Sequence, residues 1–161
     1  MLCLEWILIL IKYCKAKLTD IVEMQELVVE EVKKGTILFR SSDEMATNIR
    51  SYVIAKKDKE IVGFGALHFH SYDLGEIRSL IVSVKCRGEG IGKGMVNTML
   101  KEGKSLHVEK FFTLTYQQSF FESIGFKEIP KESLPAHKIW ADCVKCKHFP
   151  VCDEVALTKT I

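Results

Sequence analysis

The sequence predicts an α/β fold in which helices flank a central mixed, mostly antiparallel sheet. Apolar residues recur at helical spacing through residues 20–52, and short runs rich in β-branched residues follow them. A glycine-rich turn at 87–94 then joins a predicted strand to a predicted helix. The 161 residues fit one domain with a single sizeable core.

The first third of the chain predicts one strand and two amphipathic helices. Residues 11–17 alternate as a strand does, and residues 20–23 form a capping-box pattern that opens a helix. Gly35 ends that helix. Residues 41–44 cap a second helix, whose apolar spacing extends to Tyr52.

The rest of the chain alternates strands and helices. The apolar runs 52–56 and 61–69 flank a polar tetrapeptide and predict a hairpin. The later elements are a strand at 76–84, a helix with Ile91, Met95, Val96, Met99 and Leu100 on its inner side, a strand at 111–115, a short helix at 119–124 ended by Gly125, and a strand at 126–129. This order predicts one α/β sandwich.

Composition narrows the function classes. Lys and Arg exceed Asp and Glu by 23 to 21 and are scattered along the chain, so we expect no nucleic-acid partner. Residues 2–11 are mostly apolar but about half as long as a bilayer span, and they lack the features of a secretory signal. We expect an edge strand or an N-terminal extension there, no membrane role, and a cytoplasmic location.

The chain is expected to hold one domain. Its core covers about residues 11–135, and a cysteine-rich tail covers 136–161. The oligomeric state is left open by the sequence, and a homodimer is one of the states that it allows.

The glycine-rich turn is the most informative segment. Glycines between a strand and a helix let backbone N–H groups converge on an anion at a helix N-terminus, which favours a pyrophosphate site. A plain glycine-rich connection is the alternative. A dinucleotide loop and a P-loop both fit poorly, because the turn comes late in the chain and Lys93 is followed by Gly94. The residues assigned to this site are Arg87, Gly88, Glu89, Gly90, Ile91, Gly92 and Lys93.

The arrangement Arg87-x-x-Gly90-x-Gly92 resembles the Q/R-x-x-G-x-G/A signature with which GNAT-superfamily acetyltransferases bind the coenzyme A pyrophosphate. The preceding strand and the later segment 121–126 match that superfamily in order and spacing. The resemblance covers roughly residues 11–135. It implies the GNAT fold and acetyl-CoA as cosubstrate.

A narrower resemblance is to short bacterial amino-acid N-acetyltransferases of the N-acetylglutamate synthase type. Segments 35–41, 75–80 and 114–116 look like those of the synthases, and 137–143 looks like the tail of the short forms. The resemblance implies acetylation of the α-amino group of L-glutamate, the first step of arginine biosynthesis.

The resemblance also assigns roles in the reaction. The strand before the glycine turn is expected to splay, so that main-chain N–H groups of Leu80, Ile81 and Val82 bind pantetheine and polarise the thioester. Glu76 matches the family's general base. Because Arg78 lies on the same strand face, a structural Glu76–Arg78 ion pair is the alternative.

The remaining assignments concern the leaving group and the acceptor. Phe121 stands where many GNAT enzymes carry a tyrosine, so Thr115, which matches a hydroxyl residue of the synthases, is the candidate acid, with solvent as an alternative. Arg40 matches a substrate-binding arginine, and its planar guanidinium suits a carboxylate. Arg78 is a weaker candidate, and a surface role for Arg40 is the alternative.

Other acceptors fit the same chemistry: another amino acid, an amine, or a protein N-terminus. A function of a different class is also compatible with this fold: a non-catalytic regulator that binds CoA or a metal. The histidines His68 and His70 share one strand face, and without further partners a structural role is favoured for them.

Three of the six cysteines lie in the last twenty residues. Cys143 and Cys146 form a C-x-x-C pair, and Cys152 with His148 completes four ligands that suit structural zinc. An iron–sulfur cluster and free thiols are the alternatives. A metal here would pin the tail to the domain.

Overall fold

The computed structural model describes residues 10–161, except for the side chains of residues 139–141. The apolar segment 2–9 lies outside the described residues. Within these residues the sheet has seven strands: β1 (Ile11–Lys15), β2 (Tyr52–Lys57), β3 (Glu60–Ser71), β4 (Leu74–Val82), β5 (Lys110–Thr115), β6 (Lys127–Ile129) and β7 (Val155–Thr160). The α-helices are α1 (Ile21–Lys34), α2 (Ser42–Thr47), α3 (Ile91–Ser105), α4 (Gln118–Ser123) and α5 (Ala136–Ala141).

The sheet is mixed and mostly antiparallel, as predicted. Its strand order is β1-β2-β3-β4-β5-β7-β6, and β4 pairs with β5 in parallel orientation. In the described residues, no helix is long and apolar enough to cross a membrane.

The helix starts differ in detail from the capping patterns. Ser41 caps α2 as predicted, because its hydroxyl accepts a bond from the Glu44 N–H at 3.2 Å. The Asp20 carboxylate instead accepts from the Lys17 N–H at 2.8 Å, and the Glu23 carboxylate accepts from the Ile61 N–H at 2.7 Å. The predicted capping box is therefore wrong, since both carboxylates bond outside α1.

The second helix is shorter than predicted. It ends at Thr47, a 3₁₀ turn covers Ile49–Ser51, and Tyr52 begins β2. Burial explains why the chain forms a strand from Tyr52 and not a longer helix. In a strand, alternate side chains point to opposite faces of the sheet, and here both faces are covered by helices, so the apolar side chains on both sides of β2 are buried.

The two larger clusters of the described core lie on opposite faces of the sheet, and a third, smaller cluster surrounds Phe112. On one face α1 and α2 pack through residues such as Met24 and Met45 against Tyr52 and Ile54. On the other face α3 packs its inner residues against β2 and β3. All five predicted inner residues of α3 are buried: Ile91, Met95, Val96, Met99 and Leu100. The amphipathic prediction for α3 is confirmed.

The sheet opens between β4 and β5. In the described part of the chain, their pairing covers Leu74–Glu76 against Lys110–Phe112 and does not continue beyond Glu76. A bulge in β4 opposite β3 adds to the distortion, because Ser79 adopts a positive φ of 54° there. The backbone of residues 77–82 is thereby left without a strand partner on the β5 side, as the predicted splay requires.

The last strand was not predicted from the sequence. β7 lies between β5 and β6 and pairs with both in antiparallel register. The tail therefore returns to the sheet, and α5 and the cysteine segment form a connection across its open side.

Candidate active site

A cavity of about 550 Å³ occupies the opening between β4 and β5. The glycine-rich turn and the start of α3 line one end of it. Glu76, Arg78 and Arg40 line the other end, together with Lys138 and Asp142 from the tail. The cavity therefore joins a potential anion site to a cluster of buried charges.

The glycine-rich end has the features of an anion cradle. Gly88 and Gly90 adopt positive φ angles of 84° and 79°, and a Cβ on either would meet nothing within 4 Å. These glycines are therefore required by backbone conformation rather than by crowding. Gly90 is the N-cap of α3, so the first N–H groups of that helix point out of the turn.

The side chains of the turn are partly committed elsewhere. Arg87 donates to the Val82 carbonyl at 3.1 Å. Glu89 pairs with Lys57 at 3.1 Å and does not line the cavity, whereas Lys93 does. A contribution of Glu89 to an anion site would therefore come from its backbone.

Glu76 is fully buried at the point where β4 and β5 separate. Its Oε2 lies 2.7 Å from His70 Nε2, and its Oε1 forms an ion pair with Lys138 Nζ. His70 Nδ1 in turn lies 2.5 Å from Nε2 of the exposed His137. Arg78 pairs with Asp142 instead, so the alternative of a Glu76–Arg78 ion pair is wrong.

Asp142 is the centre of a second charge cluster. Its Oδ1 accepts from Arg40 at 2.6 Å, and its Oδ2 accepts from Arg78 at 2.7 Å and from Lys138 at 3.0 Å. Arg40 also donates to Glu44 at 2.6 Å. The Arg40 side chain is 11% exposed, so it is part of the interior and not a surface arginine.

The electrostatics keep these groups charged. Burial alone would raise the pKa of Glu76, but the His70 hydrogen bond and the positive charges of Lys138 and Arg78 outweigh it and hold that pKa below its ordinary value. Burial alone would lower the pKa of Lys138, but Glu76 and Asp142 raise it. Burial opposes ionisation of Asp142 as well, yet Lys138, Arg78 and Arg40 depress its pKa strongly.

Hydroxyl groups line the cavity from the end of β5. The Thr115 hydroxyl accepts from the Gln117 N–H at 2.9 Å, which leaves its proton available to another acceptor. The neighbouring Tyr116 also lines the cavity, and burial together with Glu154 raises its pKa to about 12, so its phenol is protonated at neutral pH. Phe121 is buried among Phe120 and Phe126 and belongs to the core.

The predicted zinc site is not supported. Among the residues that the structure describes, no three His, Cys, Asp or Glu side chains are grouped so that they could hold a metal ion. Cys143 and Cys146 line the cavity, the Cys152 thiol lies 3.6 Å from a Glu154 carboxylate oxygen, and the His148 ring packs edge-on against Tyr116. In the described residues these contacts do not bring the four predicted ligands together around one point, so the structure gives the zinc prediction no support.

Residues 18–126 match the acetyltransferase (GNAT) family. The chain belongs to this family.

Three relatives show the range of the similarity. An N-acetyltransferase of Chlorobaculum tepidum, described as uncharacterized, is 34% identical over 91% of this chain and 94% of its own length. An amino-acid acetyltransferase of Mycobacterium tuberculosis is 41% identical over 44% of this chain and 40% of its own length. N-acetylglutamate synthase from Neisseria gonorrhoeae, solved with coenzyme A and N-acetyl-glutamate, has a TM-score of 0.84 at 21% identity, over 94% of this chain and 35% of that one.

The matched segment covers less than half of the Mycobacterium relative, and this chain spans about a third of the Neisseria synthase. At 21% identity the likeness to the synthase shows the fold. The prediction of a GNAT acetyltransferase is confirmed by the family match.

The structure adds four residues to the candidate site that sequence reasoning did not assign to it: His70, His137, Lys138 and Asp142. Three of them belong to α5 or its C-terminal end, inside a segment that the sequence did not connect to the sheet. The spacing of Lys138 and Asp142, one helical turn apart, was the available signal, because it places both side chains on one helix face.

Proposed function

We propose that this GNAT protein transfers the acetyl group of acetyl-CoA to the α-amino group of an amino acid, with L-glutamate as the favoured acceptor. In a cell, this reaction would be the first step of arginine biosynthesis. The observation that carries the proposal is the cavity itself, because an anion cradle lies at one end and a buried carboxylate beside two guanidinium groups lies at the other.

Coenzyme A would bind along the glycine-rich turn and β4. The pyrophosphate would accept hydrogen bonds from the backbone N–H groups between Arg87 and Lys93, at the positive end of the α3 dipole. Pantetheine would extend along Leu80, Ile81 and Val82, whose backbone faces the open side of the sheet. Fixed main-chain donors of this kind stabilise the oxyanion that forms as an amine attacks a thioester.

The acceptor would bind at the buried end. A carboxylate suits Arg40 and Arg78, because guanidinium groups form paired, charge-assisted hydrogen bonds with carboxylates. Asp142 already accepts from both groups. The acceptor therefore uses their remaining N–H donors or displaces Asp142.

Glu76 would take the proton of the acceptor ammonium, directly or through a water molecule. It is ionised, lines the cavity, and is held by His70 from the side away from the cavity. The second proton of the acceptor ammonium would reach the thiolate of coenzyme A through the Thr115 hydroxyl, which gives up one proton and takes another, with Tyr116 as a second hydroxyl of the same cavity wall.

An amino acid with an uncharged side chain is a second candidate acceptor. The specific observation is charge balance: Arg40, Arg78 and Lys138 face the carboxylates of Glu44, Glu76 and Asp142. The cluster holds equal numbers of positive and negative groups, so a second acceptor carboxylate gains less from it than from free arginines.

A kinetic screen tests the proposal. Purified protein is given acetyl-CoA with single acceptors, and release of the free thiol is measured for L-glutamate, L-glutamine, other amino acids, a polyamine and a peptide N-terminus. The proposal expects the highest kcat/KM for L-glutamate. A higher value for L-glutamine supports the second candidate, and turnover restricted to the polyamine or the peptide contradicts both.

A further inference from the structure

The helix α5 places an ammonium and a carboxylate at the position where the proposed acceptor would bind. Lys138 Nζ pairs with Glu76, the proposed base. One turn later, Asp142 accepts from Arg40 and Arg78, the proposed carboxylate-binding groups. The Lys138 ammonium and the Asp142 carboxylate are themselves 3.0 Å apart.

This pair has the layout of a free amino acid. In an amino acid, an ammonium and a carboxylate are joined through one carbon, and an acceptor must present the ammonium to the base and the carboxylate to cations. Lys138 and Asp142 make both of these contacts at once, and both line the same cavity as the glycine-rich turn. The Lys138 side chain is 7% exposed, so it faces the cavity and not bulk solvent.

An amine held against the base occupies the position from which an acceptor amine reacts. If Glu76 removes the proton of the acceptor, the same carboxylate is in contact with Lys138 Nζ in the free protein and can take its proton as Nζ attacks. The ion pair raises the pKa of Lys138 and opposes this transfer, so the positioning of Nζ must outweigh that cost. The reaction then needs the thioester to extend from the coenzyme A end of the cavity toward Nζ.

We propose that Lys138 is a self-acetylation site, on which the protein transfers the acetyl group of acetyl-CoA when no amino acid occupies the acceptor position. The proposal rests on the proposed function for the identity of the acetyl donor. In the step, Nζ attacks the thioester carbonyl, the C–N bond forms, and the C–S bond breaks. One ammonium proton goes to Glu76, a second ends on the coenzyme A sulfur, and the product is acetyl-lysine.

Acetylation changes the site in a defined way. It removes the positive charge that pairs with Glu76 and with Asp142. The modified side chain keeps one amide N–H but no longer neutralises either carboxylate. We expect the acetylated protein to be less stable than the unmodified one and to have an altered KM for the acceptor.

The experiment uses the whole chain with acetyl-CoA alone, followed by intact mass and peptide mapping. The expected result is a gain of one acetyl group, at Lys138, at a rate at least about 10-fold above that of exposed lysines such as Lys127 and Lys145, a factor within the usual contribution of a positioned base. Spontaneous acetylation favours accessible lysines, so modification concentrated on Lys127 and Lys145 overturns the proposal.

Two sets of variants distinguish acetylation catalysed at the site from spontaneous acetylation. Glu76→Gln should slow modification of Lys138 about 100-fold while leaving Lys127 and Lys145 unchanged, since it removes the base. Lys138→Arg keeps a cation beside Glu76 and should abolish the mass gain, whereas the matched variant Lys145→Arg should keep it. A gain at Lys138 that is unaffected by Glu76→Gln overturns the proposal.

The outcomes also distinguish this proposal from the proposed function. Acetylation of free amino acids without any gain at Lys138 overturns self-acetylation and leaves the proposed function intact. A gain at Lys138 without turnover of any free amino acid supports self-acetylation and overturns the proposed acceptor. Added L-glutamate should slow the modification, because it competes for the same contacts.

Discussion

The charge on Asp142 should contribute strongly to stability. Asp142→Asn keeps the shape of the side chain but removes the charge that Arg40, Arg78 and Lys138 share. The Asp142 side chain is 8% exposed, so water does little to replace the lost partner. Loss of one member of a buried ion pair costs about 3–5 kcal/mol, and retained amide hydrogen bonds place the expected loss near the lower figure.

A loss of about 3 kcal/mol lowers the Tm of a chain of this size by roughly 6–12 °C. Thermal unfolding at neutral pH, followed by circular dichroism, measures this change. The exposed Asp153 provides a matched control, since Asp153→Asn makes the same chemical change outside the cluster. A Tm for Asp142→Asn within the range of the Asp153→Asn control would refute the reasoning.

The same variant has a predictable pH dependence. The pKa of Asp142 is depressed in the folded protein, so its stabilisation is fully present above the pKa of an unfolded aspartate, about 3.9, and is lost as the pH falls below that value. The difference in stability between the parent and Asp142→Asn should therefore be constant from pH 6 to 8 and shrink under acid conditions. A difference that grows on acidification contradicts this assignment.

Four further predictions concern the reaction. Glu76→Gln should lower kcat about 100-fold or more with acetyl-CoA binding retained, whereas the exposed Glu132→Gln should leave kcat unchanged. His70→Leu removes a hydrogen bond that lowers the pKa of Glu76, so the acid limb of the pH profile of kcat/KM should move to higher pH. In His70→Gln, where the amide can still donate a hydrogen bond, that shift should be smaller. Gly90→Ala should raise the KM for acetyl-CoA about 10-fold through loss of a backbone contact, and Gly125→Ala, at another positive φ, should not. Arg40→Ala should weaken the binding of L-glutamate by about 1.5–3 kcal/mol without changing the KM for acetyl-CoA. An equal effect from Arg50→Ala, at an exposed arginine, would contradict a specific role for Arg40.

The sequence by itself determined the features that depend on local chemistry. The spacing of Met95 and Met99 decided the buried face of α3, because a helix repeats every 3.6 residues. The positions of Gly88 and Gly90 decided the turn, because their positive φ angles suit glycine and few other residues. The family resemblance added Glu76, which the structure places at the opening of the sheet.

The tertiary structure alone decided which distant groups share the buried site. Arg40 and Asp142 are 102 residues apart in sequence and become partners because the tail returns to the sheet, where β7 pairs with β5. Polar residues such as Lys138 and His137 carry no periodic signal that says which cavity they face. Their contacts follow from the strand order, and the strand order depends on the packing of the whole chain, which no local pattern in the sequence records.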